Sequence, residues 1–329
     1  MSLAPVTRHY ARRTGADGTP AQGSGIEWYA GGTDVIPLTR TRVLEIDTVV
    51  DLKAGDDDGT GPGSAIEPTD GGWAVGALAT LAELAADDGV AAAHPAIRDA
   101  ISQAATPQIR HRATVGGNLL QRPRCSYYRD AEVSCWMKGG EGCPAKEGRH
   151  EHHALVDEPC IATQPSDLAS VLVAIGASVD VDGPDGERTV PVDELLARPS
   201  ADRRALHTLG AGEVITALRL PAGGARSTYL KAMDRAVWQF ALVGVAAVVE
   251  VGDGGEVTSA SLVASGVDSV PRRLGAAGDA LVGSPLSAEA IAAAAAVADE
   301  GLVPRPQNRY KQPLLRGLVQ RSLERLAAG

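Results

Sequence analysis

Aromatic side chains are scarce. Phe, Trp and Tyr together make up 3% of the 329 residues, with a single Phe. That poverty leaves little for base stacking on single-stranded nucleic acid. A basic excess is also missing. Thirty-one Lys and Arg face 41 Asp and Glu, a formal charge of −10, which argues against nucleic acid or an anionic membrane as the main partner. No apolar run reaches the roughly 18 residues a membrane-spanning helix needs. The opening, MSLAPVTRHYARRTG, lacks the apolar core of a signal peptide. The expected compartment is the cytoplasm, or the periplasm if a signal-bearing partner carries the folded chain out. Cysteine is limited to four residues, none in a C-x-x-C pair. In a reducing compartment such thiols serve as ligands or stay free more often than they form disulfides.

What is present suits packed cores. Hydrophobic residues reach 44%, mostly Ala, Val and Leu, and the length predicts two or three domains. Residues 1–25 read as a polar, irregular arm. Then IEWYAGGTDVIPL reads as strand, Gly31-Gly32 turn and helix start. Glycines there permit positive φ, and free N–H groups at a helix start favour an anion such as a pyrophosphate. A plain Gly-rich turn explains the same letters equally well. Residues 43–52 and 73–78 read as strands, with a hairpin-like loop over 54–72. Thr80 and Glu83 form a capping box, and Pro95 marks a further helix start.

From 106 the chain reads TPQIRHRATVGGNLLQ. Arg110, His111 and Arg112 put positive charge before a second glycine pair, Gly116-Gly117, followed by Asn118. A solvated arginine pair is the plainer reading of Arg110 and Arg112. Ser166 is an N-cap before an apolar helical face at Leu168, Val171, Leu172 and Ile175. Strands follow at SVDVDG and EVITALRLP, with a short helix between them. PAGGARS, around 222–226, is a candidate domain boundary. Beyond it, β-like runs with meander spacing lead to helices at 287–300 and in the final QPLLRGLVQRSLERLAAG.

All four cysteines, Cys125, Cys135, Cys143 and Cys160, fall in one polar stretch beside the second glycine pair, with 9, 7 and 16 residues between them. Buried thiols of the ordinary kind would be scattered through cores. Structural zinc sites use close pairs. Four spread thiolates suit a 4Fe–4S cluster, one per iron. Backbone N–H groups of the glycine-rich segment 138–144 would face its sulfurs, and Arg124, Arg129 and Lys138 would offset its charge. His150, His152 and His153 in the same stretch keep zinc open, and a metal-free segment is the third reading.

AGGTDVI at 30–36 and ATVGGNLLQ at 113–121, with DLKAG, WAVGALATLAEL, PSDLASVLVAIGA, YLKAMDRAVWQFALVGVAA and SGVDSVPRRL in the same order, resemble the FAD-binding middle subunit of the molybdenum hydroxylases. Those are the xanthine dehydrogenase, carbon monoxide dehydrogenase and aldehyde oxidoreductase enzymes. About 40 residues with four cysteines, between the second loop and PSDL, resemble the branch of periplasmic aldehyde oxidoreductase, whose flavin subunit carries a 4Fe–4S cluster.

The resemblance implies an α+β fold. A two-subdomain FAD-binding domain of the PCMH type spans 1–222, with the cluster insertion at 122–162. A smaller α+β C-terminal domain of the CO dehydrogenase flavoprotein type spans 223–329. By matched position, FAD would meet Ala30, Gly31, Gly32, Thr33, Asp34 and Val35 in one loop and Thr114, Gly116, Gly117 and Asn118 in the other. Thr106 and Arg110 would lie near the flavin, Asp167 at the adenosine or ribitol side, Lys231 near the isoalloxazine, and Ile215 packed on the cofactor. Asp34 receives no role beyond loop geometry. Tyr127 and Tyr128 are read as packing. No residue of this chain would be catalytic. Partners would be a large molybdenum-cofactor subunit and a small 2Fe–2S subunit, with electrons leaving FAD for an external acceptor. The alternatives are a stand-alone flavoenzyme of the vanillyl-alcohol-oxidase type and a zinc-stabilised scaffold.

Overall fold

The structure is a computed structural model that describes residues 7–9, 26–54 and 62–328. Among these, three sheets organise the chain. The first is parallel, with Thr48–Asp51 between Ile26–Tyr29 and Thr7–His9. Its β-branched and aromatic letters fit a pleated surface. The strand Thr7–His9 falls inside the stretch expected to be an irregular arm. It forms because Thr48–Asp51 has two edges, and a local reading does not see the partner. Helix Val35–Arg40 makes the crossover between the two longer strands.

The second sheet is antiparallel, in the order Ile66–Thr69, Gly72–Gly76, Val214–Pro221, Ser178–Gly183, Gly186–Pro191. Ile66–Thr69 lies within what the sequence suggested was loop. The third is the C-terminal meander, Arg226–Ala232, Val243–Val251, Val257–Ser265 and the short Arg272–Arg273.

Local signals place the helix starts. Thr80 N donates to Glu83 Oε2 at 2.7 Å and Glu83 N to Thr80 Oγ1 at 3.2 Å, the reciprocal box that opens Leu81–Ala86. Pro95 is the first residue of Pro95–Gln103. Ser166 and Ser287 cap Asp167–Ala174 and Ala288–Ala296.

Helix Asp167–Ala174 is buried on every side rather than on one face. It packs on helix Pro95–Gln103 and also on strands Val243–Val251 and Val257–Ser265. One continuous core therefore takes in Leu168 and Val171 together with Tyr229, Ala246 and Val263 of the C-terminal sheet. A second core lies between that sheet and helix Lys311–Ala328. The cysteine stretch is mostly irregular, with one short turn of helix at Trp136–Lys138. It is tied to the C-terminal part by Leu155 N to Val267 O at 2.8 Å and Val303 N to Leu155 O at 2.7 Å.

Candidate cofactor cavity and thiol cluster

The first glycine loop follows the strand Ile26–Tyr29. Gly32 has φ +73, a conformation open to glycine at little cost. A methyl at Gly31 would run into the carbonyl of Arg112, so this glycine lets the first loop press on the backbone just before the second. Among the described residues, no acceptor takes the N–H groups of Gly32, Thr33, Asp34 or Val35. N–H groups left open at a helix start are the kind that favour an anion.

The second loop differs from the expectation. Thr114 caps a short helix, Val115–Leu119, that contains the glycine pair. Gly116 N donates to Ala77 O at 3.0 Å and Gly117 N to Thr114 Oγ1 at 3.2 Å. These N–H groups are engaged by the protein, unlike those of the first loop. Gly116 instead allows close approach, since an added Cβ would sit 3.2 Å from the Ala77 methyl.

Both loops border a cavity of about 470 Å³, within the usual range of cofactor pockets. Ala30, Gly31, Gly32, Thr33, Asp34 and Val35 line it, as do Thr114, Gly116, Gly117 and Ile215. Sequence reasoning missed Trp28, Tyr128, Met137, Arg204 and His207, which also line it. Trp28 Nε1 and His207 Nδ1 are buried without partners among the described residues. Burial, with Arg122 and Arg203 adding to it, pushes the His207 imidazolium down to about 4, so the ring is neutral. Such orphaned groups fit a ligand that brings donors and acceptors of its own.

Asp34 does more than shape its loop. Its Oδ2 accepts the Arg122 N–H at 2.8 Å, and Oδ1 meets Arg129 Nη2 at 2.6 Å and Arg124 Nη2 at 3.1 Å. Arg122 also pairs with the buried Glu27 at 2.6 Å. Three guanidiniums thus share two carboxylates. Burial lowers Arg124 to about 10, opposed by Asp34 and helped by Arg129.

Five expected site residues lie outside the cavity wall. Thr106 caps the short helix Pro107–Arg110. Arg110 donates to the carbonyls of Ser102, Ala104 and Ala105 at 2.9–3.1 Å, closing the end of helix Pro95–Gln103, where a cation suits the helix dipole. Asn118 Oδ1 accepts the Ser166 hydroxyl at 2.6 Å. Asp167 is buried between Tyr229 Oη at 2.6 Å and Lys231 Nζ at 2.7 Å, and Lys231 also donates to Gln239 O at 2.9 Å.

Three of the four thiols lie in two adjoining apolar clusters and the fourth in a neighbouring one. Cys135 packs with Tyr128 and Leu38, Cys160 with Trp136 and Ala162, and Cys125 and Met137 touch both groups. Cys143 packs on a neighbouring cluster around Ala145 and Ile161. Burial pushes the Cys160 thiol up to about 12, and Cys143, Cys135 and Cys125 all add repulsion. Burial likewise raises Cys125 to about 11. The backbone N–H of Ala162 donates to the Cys160 sulfur at 3.5 Å. That donor is not one of 138–144. Arg124 and Arg129 are committed to Asp34, and Lys138 donates to the Asp130 carbonyl. Among the described residues, no three His, Cys, Asp or Glu side chains are gathered as ligands of one metal ion. Of the histidines in the stretch, His150 is tied to Gly148 and Gln307, and His152 faces Asp234. His153 Nε2 reaches Cys125 Sγ at 3.2 Å.

Residues 18–223 match the family described as FAD binding domain in molybdopterin dehydrogenase. The chain belongs to that family. Residues 208–326 match the CO dehydrogenase flavoprotein C-terminal domain. The aldehyde oxidoreductase FAD-binding subunit PaoB of Escherichia coli is 38% identical over 71% of this chain and 73% of its own. The carbon monoxide dehydrogenase medium chain of Afipia carboxidovorans is 27% identical over 91% and 88%. The fold superposes on reconstituted CO dehydrogenase from Oligotropha carboxidovorans with a TM-score of 0.71, at 23% identity over 93% of this chain and 91% of that one. This chain is accordingly an FAD-binding flavoprotein subunit of the molybdenum hydroxylase type, not a stand-alone oxidase of the vanillyl-alcohol-oxidase kind. No helix among the described residues is long and apolar enough to cross a membrane.

Proposed function

We propose that this chain carries FAD in the 470 Å³ cavity and a 4Fe–4S cluster on Cys125, Cys135, Cys143 and Cys160, and passes electrons between them. The partners in this reading are a large molybdenum-cofactor subunit, a small 2Fe–2S subunit and an external electron acceptor. The substrate class is an aldehyde, by likeness to the PaoB relative. The division at 222/223 and a periplasmic or cytoplasmic address belong to the same reading.

One observation carries it. Tyr128 and Met137 belong both to the cavity wall and to the apolar packing around the thiols. In this reading those two side chains would lie between the two redox groups. FAD supplies exchange of one or two electrons, and a 4Fe–4S cluster supplies transfer of one. The protein's work is to hold and insulate them. The free N–H groups of Gly32 to Val35 would bind the pyrophosphate. Asp34 keeps the arginines of 122–129 against that loop. Ile215 and Tyr128 keep water from the cavity wall. Asn118 with Ser166, and Asp167 with Lys231, are two bonded pairs that would serve the flavin end.

Iron, acid-labile sulfide, zinc and released flavin, measured on anaerobically purified protein, test this. The expected result is one FAD with about four irons and four sulfides per chain. Changing all four cysteines to Ser should remove the iron and leave the flavin. Zinc in place of iron, or flavin with no metal, overturns the cluster. Absence of flavin overturns the whole reading.

A further inference from the structure

A short turn in the cysteine stretch is shaped to hold a guanidinium. The turn at Trp136–Lys138 closes on itself. Trp136 N donates to Gly142 O at 2.9 Å, and Lys138 N and Gly140 N both donate to Cys135 O at 2.9 Å. Gly139 reverses the chain at φ +98, a conformation glycine takes at little cost. The carbonyls of Trp136 and Gly140 meet at one group, Arg204 Nη1, at 2.7 Å and 2.9 Å. The guanidinium carbon lies 4.8 Å from the centre of the Trp136 ring. Two acceptors and an aromatic face match one planar cation, whose Nη1 has two N–H groups to give.

Arg204 belongs to the segment between helix Val192–Leu195 and strand Val214–Pro221. The segment is irregular. It is fastened at its base by Ala197 N to Leu206 O at 3.1 Å and Thr208 N to Leu195 O at 2.8 Å. Pieces held by few backbone bonds are the ones that open locally. Arg204, Ala205, Leu206, His207 and Leu209 line the cofactor cavity, and Met137 of the turn lines it from the other chain segment. Arg204 is also exposed to solvent, whereas Trp136 is 8% exposed. A residue that belongs to the cavity wall and meets bulk water lies where the cavity opens. Its side chain therefore ties the strap to the turn at the cavity mouth, across 68 positions of sequence.

We propose that Arg204 and the Trp136–Gly140 turn form a clasp over the cavity mouth that opens to let FAD in and out. The inference rests on FAD in this cavity, as read above, and on nothing bound at the thiols. A cofactor passes the same mouth in both directions. Opening the clasp is then a step shared by entry and release, and binding that waits on a conformational step is slowed. A side chain that only touched the bound cofactor would slow release alone. Arg204 is thus a positioning residue with a kinetic signature of its own.

The test uses the full chain as wild type, Arg204→Met and Arg204→Lys. Met keeps the apolar stem without donors or charge. Lys keeps charge and donors without the plane that stacks on Trp136. FAD content is measured first. FAD is then stripped, and its uptake and release are timed by flavin fluorescence. Both variants should reach wild-type content at saturating FAD. In Arg204→Met both rates should rise about tenfold, the size expected for losing a cation held by carbonyls and a ring near solvent. The dissociation constant, their ratio, should move less than either rate. Arg204→Lys should fall between wild type and Arg204→Met. If Arg204→Met does not fold, Arg204→Lys carries the test, with a smaller rise in both rates. Faster release with unchanged uptake overturns the clasp and makes Arg204 an ordinary contact of the cofactor. Wild-type rates in a variant that binds FAD overturn it as well. Wild-type protein that neither carries nor takes up FAD would instead remove the cavity reading itself, and the clasp with it.

Discussion

Asp34 is one carboxylate that joins two places far apart in sequence. It sits in the first glycine loop, yet its partners are Arg122, Arg124 and Arg129 on the approach to the first cysteine. Its side chain is 12% exposed. Losing one partner of a buried ion pair costs about 3–5 kcal/mol, because the remaining charges stay desolvated. Asp34→Ala leaves the Arg124 and Arg129 guanidiniums without a carboxylate partner and should lower unfolding stability toward the small end of that range in urea titration. FAD affinity should fall with it, since this side chain holds the loop that lines the cavity. Asp34→Asn, which keeps an acceptor for the Arg122 N–H, should lose less. A wild-type unfolding free energy in Asp34→Ala would show that the three arginines find solvent or other partners. This role was not legible in the sequence. AGGTDVI reads as loop geometry, and the arginine that completes the pair lies 95 positions away.

At the scale of elements, the starting turn of helix Lys311–Ala328 carries an unusual residue. Lys311 is fully buried, and burial lowers its ammonium to about 7. Three carbonyls receive Nζ: His152 at 3.0 Å, His153 at 2.9 Å and Gly266 at 2.7 Å. The helix is thereby fastened to the cysteine stretch. Lys311→Met has the right length and no donors. It leaves these carbonyls short of partners, at about 1–3 kcal/mol for each that water does not reach. His153 O keeps Asn308 Nδ2, so we expect a drop of about 2 kcal/mol in urea titration. An unchanged unfolding free energy would place the fastening elsewhere. The helix itself was legible, as were the starts at Thr80, Pro95, Ser166 and Ser287, because caps are local chemistry. The strands Thr7–His9 and Ile66–Thr69 were not, because an edge strand is defined by the neighbour it pairs with. The short helix around Gly116-Gly117 was missed for a related reason. Glycine is a poor helix former, and it is tolerated there because Thr114 caps the turn and Ala77 accepts the Gly116 N–H.

For the whole molecule the deciding element is helix Asp167–Ala174, which belongs to the core of the first part and also packs on the C-terminal sheet. Its first residue, Asp167, is held by Tyr229 and Lys231, both on the strand Arg226–Ala232. Tyr229 is fully buried, and its hydroxyl also meets Ser265 Oγ at 2.9 Å on the next strand but one. Gly244 makes the room, since a methyl there would run into that hydroxyl. Apolar core and charged network therefore cross the same seam. Two parts that share a core in this way unfold together, whereas parts joined by a polar seam open separately. Calorimetry of the full chain should show one transition with calorimetric and van't Hoff enthalpies equal. Tyr229→Phe removes one donor from a buried carboxylate that keeps Lys231, a loss of about 1.5–3 kcal/mol for a hydrogen bond to a charged group. It should lower the midpoint without splitting the transition. Asp167→Ala strands the Lys231 ammonium at 0% exposure, and a buried charge without its partner is the costlier defect. That variant should open the seam, giving two transitions or an enthalpy ratio away from one. A wild-type chain that already melts in two steps would mean that the shared core is too small to couple the parts, and that Asp167 and Lys231 are held together for the cofactor's sake rather than the fold's.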